Sequence, residues 1–313
     1  MPNKHIDIHE FHKVVLIYNR NSGKQIFSSM FARINEVFRL LKLELGTKVV
    51  TMLQITRFDE LDGTVDHIVD VKADWVIIAG GDGTIRAAIE KIYARGCKPY
   101  ISVFPAGTVN LVAKELNMNI EPHRWFFRVI KGLVIPVYMG RANGNSFITV
   151  ASMGFDSLVV DNVNEHTKKI LNKLAYVLKG GALIRKEMLL KNWQYEFKIR
   201  FDDEEKTYTA ASIIVGKSRY YAGRYNLFRG ANLSEPVFHI ALFEGNTKVQ
   251  FARYASLIAL EAINTDPSIT IKQAHKLEIT CNEENFPVEL DGDSITATPL
   301  VIEMDSEPIK FLG

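Results

Sequence analysis

The stretch that most constrains this chain is Trp75-Val76-Ile77-Ile78-Ala79-Gly80-Gly81-Asp82-Gly83-Thr84-Ile85-Arg86. An apolar run of strand length empties into three glycines wrapped around one aspartate, and a helical pattern follows at once. Glycine lets backbone N–H groups come close to a ligand and tolerates positive φ. A helix start directly behind adds partial positive charge and unpaired donors, which is what a phosphate group needs. The stretch predicts either a phosphate cradle or an ordinary strand-to-helix turn of an α/β sheet.

The first half of the chain repeats this grammar. Val14-Val15-Leu16-Ile17-Tyr18 reads as a buried strand, and Asn19-Arg20-Asn21-Ser22-Gly23-Lys24 as the turn-rich loop after it. Ile26, Met30, Ile34, Val37, Phe38 and Leu41 then share one helical face. A strand over residues 49–56 and a weaker helix near 60–72 lead into the glycine stretch. Ala87, Ala88, Ile92 and Tyr93 give the next helix its apolar side, and Gly96 ends it. A strand over 100–104 runs into Pro105-Ala106-Gly107-Thr108-Val109-Asn110, before a helix over 111–116. Strands alternating with helices on short loops predict a mostly parallel sheet with helices on both faces.

Near residue 135 the pattern changes. Residues 136–141 and 146–151 flank Asn143-Gly144, a strong hairpin signal. Residues 193–201 alternate strictly between apolar and polar, as a half-buried antiparallel strand should, and 275–282 and 286–291 alternate too. Helical insertions are expected over 156–186 and 248–263. The predicted fold class is α/β in two domains: an N-terminal α/β domain with a mostly parallel sheet, then an antiparallel β-rich domain.

Composition narrows the function. Of 313 residues, 47% are apolar and 24% charged, and 38 basic against 36 acidic residues leave a net charge of +2. That is core enough for about two domains, with no general nucleic-acid signal. Cys97 and Cys281 are far apart and lack metal-type spacing, which fits a reducing, cytosolic location. The polar start lacks the apolar centre of a signal peptide. No run of roughly 18 apolar residues occurs to span a bilayer. A lipid partner would be met from the surface.

A carboxylate beside a phosphate is unfavourable unless a cation sits between them. Asp82 is therefore a candidate Mg²⁺ partner, directly or through water. Neither G-x-G-x-x-G nor the P-loop pattern occurs, which argues against those nucleotide folds. The loops beginning at Asn19 and Gly107 each follow a predicted strand, so they share the carboxyl edge where open α/β sheets bind ligands. Alone each reads as a turn, or as a helix cap in the case of Thr108. With the glycine loop they read as a nucleotide site. Farther on, Phe286, Val288 and Leu290 share one strand face, and Glu289, Asp291 and Asp293 would share the other if the strand runs through Gly292. The alternative there is a hairpin turn at Asp291-Gly292.

Taken in order, Asn19-x-x-Ser22-Gly23, Gly80-Gly81-Asp82-Gly83-Thr84 and Pro105-x-Gly107-Thr108-x-Asn110 resemble the diacylglycerol kinase catalytic-domain family. That family includes sphingosine and ceramide kinases and bacterial lipid kinases. The likeness continues through Ala151-Ser152-Met153-Gly154-Phe155-Asp156 and ends at Glu289-Leu290-Asp291-Gly292-Asp293, so it covers nearly the whole chain. It implies an ATP-dependent kinase of a diacylglycerol-like lipid hydroxyl, using Mg²⁺. An ATP-binding domain would span residues 1–140 and 296–313, and a β-rich lipid-substrate domain 141–295. Residues 301–312 would be a tail returning to the first domain. By the same resemblance Asn19, Arg20, Asn21, Ser22, Gly23, Thr56 and Thr108 would contact ATP. So would Gly80, Gly81, Asp82, Gly83, Thr84, Ile85 and Arg86. Asp291 and Asp293 would supply the base for the lipid hydroxyl, with Asp82 as the third catalytic carboxylate through its metal.

The chain departs from the family's pattern in three places. Asp293 stands where Glu is common, and Leu111 where an Asp often follows the family's Asn. Many bacterial members carry Asp residues and a Gly matching 232–238, where they form a structural Mg²⁺ site; here Glu235 alone keeps a carboxylate and is the remaining metal candidate. The lipid side leaves alternatives open. Residues 168–179 form either an interfacial helix or one packed on the β domain with its lysines in water. Residues 123–128 are either a membrane-anchoring patch or a helix with its aromatics in the core. Tyr220, Tyr221, Tyr225 and Phe228 either line an acyl groove or fill the sandwich. The expected setting is cytoplasmic and peripheral to a membrane, with a lipid substrate, no nucleic acid, no transmembrane segment and a homodimer left open. The rivals are an NAD kinase, which shares the Gly-Gly-Asp-Gly-Thr loop, and a non-catalytic lipid or nucleotide sensor.

Overall fold

The computed structural model describes residues 4–22, 27–46, 50–154, 195–202, 204–223 and 225–313. Gly23, Phe155, Asp156, Trp193, Gln194 and the expected insertion over 156–186, with its 168–179 helix, lie outside the described residues. The chain divides into two compact units, Met1–Tyr138 with Ser306–Gly313, and Met139–Asp305.

In the first unit a seven-stranded sheet has the spatial order Lys4–His5, Leu133–Val137, Ile309–Leu312, Tyr100–Pro105, Trp75–Gly80, Val14–Asn19, Val50–Ile55. The last five are parallel neighbours, while Leu133–Val137 runs antiparallel to both strands beside it. Every residue of Trp75–Gly80 is buried. A strand covered on both faces takes apolar residues at successive positions, so its sequence is a continuous run without alternation. A polar chain crosses this core with its partners supplied: the Trp75 indole N–H donates to Ser102 Oγ at 3.0 Å, and that hydroxyl donates to the Leu312 carbonyl at 2.9 Å.

Strand order reverses at Val14–Asn19, which has Val50–Ile55 on one side and Trp75–Gly80 on the other. Right-handed crossovers then put helix Phe27–Leu45 on one face, and helices Leu61–Asp70 and Asp82–Ala94 on the opposite face. The packed pairs agree with that division: Phe27–Leu45 lies against Pro122–Val129, and Leu61–Asp70 against Asp82–Ala94. Pro122–Val129 buries Trp125 and Phe126, with the Trp125 indole N–H donating to the Val103 carbonyl at 2.7 Å, and leaves Phe127 exposed. Two of its aromatics are therefore core, as the second alternative for this segment holds. No helix among the described residues is long and apolar enough to cross a membrane.

The second unit holds two six-stranded antiparallel sheets. One runs Tyr208–Ala210, Phe197–Phe201, Lys276–Cys281, Leu300–Met304, Gly140–Ala142, Asn145–Phe147. The other runs Ile269–Ala274, Phe238–Phe243, Ser212–Gly216, Val150–Met153, Pro287–Leu290, Asp293–Ala297. Phe147, Phe197, Phe238 and Phe286 belong to a core shared by both. A second cluster joins Tyr221, Leu227 and Phe228 to Tyr254 of helix Lys248–Ala259, and Tyr225 is buried as well. Tyr221 and Phe228 are therefore buried in a cluster separate from the core between the sheets, and Tyr220 is half-buried.

Asn143-Gly144 makes the expected turn, both residues at positive φ (49° and 82°), between Gly140–Ala142 and Asn145–Phe147. The strand expected over 146–151 divides, because the chain changes sheets at Ile148-Thr149 before Val150–Met153. The C-terminal return also differs from the expected start at residue 296. Asp293–Ala297 and Leu300–Met304 pair inside the second unit (Val288↔Thr296, Leu277↔Ile302), and Ile309–Leu312 joins the first sheet. The chain passes from one unit to the other at the polar stretch Asp305-Ser306-Glu307-Pro308 between Leu300–Met304 and Ile309–Leu312.

Candidate active site

Loops at the carboxyl edge of the first unit's parallel strands are knitted together by side chains. Asn19 Nδ2 donates to Thr84 Oγ1 at 3.0 Å across the point where strand order reverses. Such a switch point is where open α/β sheets form a ligand crevice. The Asn21 N–H donates to Asn19 Oδ1 at 2.9 Å, and Asn21 Nδ2 to the Thr56 carbonyl at 2.5 Å. The Arg20 N–H meets the Ile55 carbonyl at 2.9 Å. Three strand ends are thereby tied at one place.

The glycines here serve close approach, since none of Gly80, Gly81, Gly83 and Gly107 has positive φ. A Cβ on Gly80 would lie 2.7 Å from Thr84 Cβ, and one on Gly107 would lie 2.4 Å from Gly81 Cα. Backbone touches backbone where Gly81 and Gly107 meet. Asn110 closes its own loop: Oδ1 accepts from the Gly107 N–H at 2.8 Å and Nδ2 donates to the Gly107 carbonyl at 2.9 Å. It does so from a left-handed φ of 57°.

Asp82 opens helix Asp82–Ala94, and its carboxylate accepts from the N–H groups of Leu111 and Val112, each at 3.0 Å. It caps helix Leu111–Glu115, a task the sequence offered to Thr108, which is exposed. Negative charge at a helix N-terminus is favourable in itself, so a carboxylate at this position has a physical reason that requires no cation. Among the described residues no three His, Cys, Asp or Glu side chains cluster as a metal cage. A Mg²⁺ at this edge fits as an ion carried mainly by phosphate oxygens, with Asp82 the nearby carboxylate.

The remaining residues expected at ATP are not equivalent. Asn19, Ser22, Thr56, Gly81, Asp82 and Gly83 are half-buried, and Arg20, Asn21 and Thr108 are exposed. Gly80 and Thr84 are buried, Thr84 acting through its bond from Asn19. Ile85 belongs to the core, and buried Arg86 faces Glu90 at 3.5 Å.

In the second unit Asp291-Gly292 is a two-residue turn, with φ of 51° and 93°, joining Pro287–Leu290 to Asp293–Ala297. Positive φ at both positions is the type I′ geometry that Asp-Gly favours. The strand stops before Gly292, so the three carboxylates do not share a face. Asp291 folds back on the segment where the chain changes sheets. Its carboxylate accepts the N–H groups of Ile148 (2.7 Å), Thr149 (2.8 Å) and Val150 (3.1 Å) and the Thr149 hydroxyl (2.5 Å). Glu289 is buried and accepts from the Ser152 hydroxyl at 2.7 Å and from the Gly292 N–H. Sequence reasoning gave Glu289 no task; its spacing of three from Gly292, across the turn, is the signal for one. Asp293 begins the next strand, half-buried.

The segment expected to hold a second metal has an ammonium group instead. Lys217 is fully buried, and its Nζ donates to the main-chain carbonyls of Asn232 (3.4 Å), Val237 (3.3 Å) and Glu235. Burial pushes this ammonium down to about 8, with the charge of Glu235 opposing, so it keeps its proton at neutral pH. A metal at Glu235 does not fit these residues. Nothing in Gly216-Lys217-Ser218 distinguishes this lysine from a surface one by sequence.

The comparisons with known proteins agree with the motifs. A model of the diacylglycerol kinase catalytic domain matches residues 13–142, and one of the YegS C-terminal NAD kinase beta sandwich-like domain matches 149–312. A diacylglycerol kinase of Bacillus subtilis is 26% identical over 283 residues, 89% of this chain and 88% of that protein. One of Staphylococcus saprophyticus is 24% identical over 278 residues, again 89% and 88%. A crystal structure of a diacylglycerol kinase from Bacillus anthracis matches with a TM-score of 0.75 at 21% identity, over 97% of both chains. With its loops, its acidic turn and its sandwich in that order, this chain belongs to the diacylglycerol kinase catalytic-domain family.

Proposed function

We propose that the protein is an ATP-dependent lipid kinase, transferring the γ-phosphoryl group to the hydroxyl of diacylglycerol or a related lipid as a peripheral, cytoplasmic enzyme. The observation that carries this reading is the knot of loops at the switch point, Asn19 to Thr84 and Gly81 to Gly107. Glycine there leaves the main chain bare, and helix Asp82–Ala94 begins at the same edge, bringing the partial positive charge of its N-terminus. Those features suit the phosphates of ATP. Mg²⁺ borne by the nucleotide would neutralise charge developing on the transferred group.

In the reaction the lipid oxygen forms a bond to the γ-phosphorus as the bond from that phosphorus to the bridging oxygen breaks and ADP leaves. The lipid proton goes to a carboxylate. We assign that role to Asp293, because Asp291 already accepts four hydrogen bonds and serves to hold the turn. Proton acceptance of this kind is worth about 10²–10⁴ in rate, and positioning supplies much of the rest.

The test is incubation with γ-labelled ATP and a total lipid extract, followed by identification of the labelled product. A labelled phospholipid is the expected outcome. The description of the matched C-terminal domain as NAD kinase-like favours a second acceptor, so NAD is run in parallel. Label in NADP with none in lipid replaces the lipid reading. ATP binding without transfer to either replaces both with a non-catalytic sensor.

A further inference from the structure

We propose that the Lys217 ammonium is the resident cation of the loop over residues 232–237, supplied by the protein in the place of a divalent ion. Three main-chain carbonyls, from Asn232, Glu235 and Val237, converge on its Nζ inside the second unit. Oxygen atoms gathered around one point are what a hard cation binds. An ammonium group has three donors and no acceptor, which matches three carbonyls in number and polarity.

The two partners require each other. Lys217 has no exposed surface, and a buried charge without hydrogen bonds is strongly unfavourable. The loop, in turn, has little regular structure to satisfy it. The Glu235 N–H returns to the Asn232 carbonyl at 3.1 Å, the Ser234 N–H goes to Asn232 Oδ1 at 3.0 Å, and Pro236 has no N–H to give. The Pro236 carbonyl is held separately by His275 Nδ1 at 2.6 Å. The loop is pinned by Lys217 on one carbonyl set and by His275 on another.

Lys217 also joins this loop to the acidic turn. It follows strand Ser212–Gly216, and its N–H and that of Ser218 donate to the Thr149 carbonyl at 2.8 and 3.2 Å. The N–H and hydroxyl of the same Thr149 bind Asp291. One internal cation thus links residues 232–237 to the turn that carries Asp291. The consequence is a second unit that needs no divalent ion for its stability, whatever ion the nucleotide brings.

The experiment is thermal unfolding of the full chain without nucleotide, in chelator and in millimolar Ca²⁺ or Mg²⁺. The native protein should melt at the same temperature in both. Lys217→Ala removes the ammonium and leaves a space facing the carbonyls; its midpoint in chelator should fall by about 5–10 °C, and the divalent ion should recover at least half of that. Lys217→Met fills the space with an uncharged chain, so its midpoint should fall and stay low with either addition. A native protein stabilised by the ion as much as Lys217→Ala, or a Lys217→Ala indifferent to it, overturns the proposal. Should both variants fail to fold, acetylation of the native protein with peptide mapping decides. Lys217 should stay unlabelled while exposed Lys198 reacts, with or without chelator; equal labelling of the two overturns the proposal.

Discussion

The same dipeptide, Asp-Gly, sits at both ends of the proposed chemistry and does opposite things. Asp82-Gly83 opens a helix with no positive φ, and Asp82 reaches across to cap a different helix at Leu111 and Val112. Asp291-Gly292 has positive φ at both residues, and Asp291 folds back to grip Ile148, Thr149 and Val150. What decides is the flanking pattern. Asp82 is followed by Ile85, Ala88, Ile89 and Ile92 buried at helical spacing. Asp291 lies between two short alternating strands, whose twist a type I′ turn matches. In both places a carboxylate that looks chemical spends its oxygens on main-chain N–H groups.

The comparison predicts where chemistry survives and where only structure does. The largest effect should come from Asp293→Asn, with kcat on lipid lowered about 10²–10⁴-fold and the melting temperature unchanged. Equal losses of kcat from Asp291→Asn at unchanged stability would return the base to Asp291 and undo the division of roles. Next is Gly107→Ala. Its Cβ would sit 2.4 Å from Gly81 Cα and must push the two loops apart. Displacement on the ångström scale at a reacting centre costs about 10²-fold, read as lost kcat/KM for ATP. By contrast, Gly292→Ala meets open space apart from Glu289 Oε1 at 4.0 Å, but places a side chain at φ 93°. It should cost about 1–2 kcal/mol of stability in denaturant and leave the ATP affinity alone.

Why the first unit was legible and the acidic turn only half so follows from the same residues. The strand Trp75–Gly80 is an uninterrupted apolar run because it is buried on both faces, and such a run declares itself. The loops at Asn19, Gly80 and Gly107 follow from strand ends alone. What sequence could not supply was the reason for the glycines, since contact between Gly81 and Gly107 joins residues from two separate loops. The turn at Asp291-Gly292 was visible as one of two options, and strand alternation through Gly292 as the other. The choice rests on a bond set to Ile148, Thr149 and Val150, more than 140 positions away in the chain. Lys217 was invisible for a related reason: its partners are main-chain carbonyls, which every residue has.

Asp291→Asn sharpens the structural half of the comparison. Its remaining oxygen can still accept from Thr149 or Ile148, but the new amide turns N–H toward a main-chain N–H. One buried donor is left unsatisfied and the charge that held the others is gone. About 1–3 kcal/mol of stability should be lost, measured by denaturant unfolding. A variant as stable as the native protein would mean that the four bonds contribute nothing to holding the turn.

The smallest effect separates the two units by pH. Among the described residues His239, in the second unit, is the buried histidine. Burial first, and then the charge of Lys217, hold it below its ordinary value, with Glu235 opposing. Phe228 packs beside its ring and Gln273 lies within 3.3 Å of Nε2. In the unfolded chain this imidazole takes a proton near pH 6.5, while in the folded unit it resists until lower pH. Between those two values the unfolded state binds more protons, so stability falls as pH drops through about 6.5 and levels off below the folded value. Denaturant midpoints from pH 7.5 to 5.5 should therefore decline more for the native protein than for His239→Gln. The added loss should appear in the unfolding of the second unit, which holds His239. Parallel declines in the two proteins would show that His239 carries no part of the acid sensitivity, and that the two units answer to acid alike.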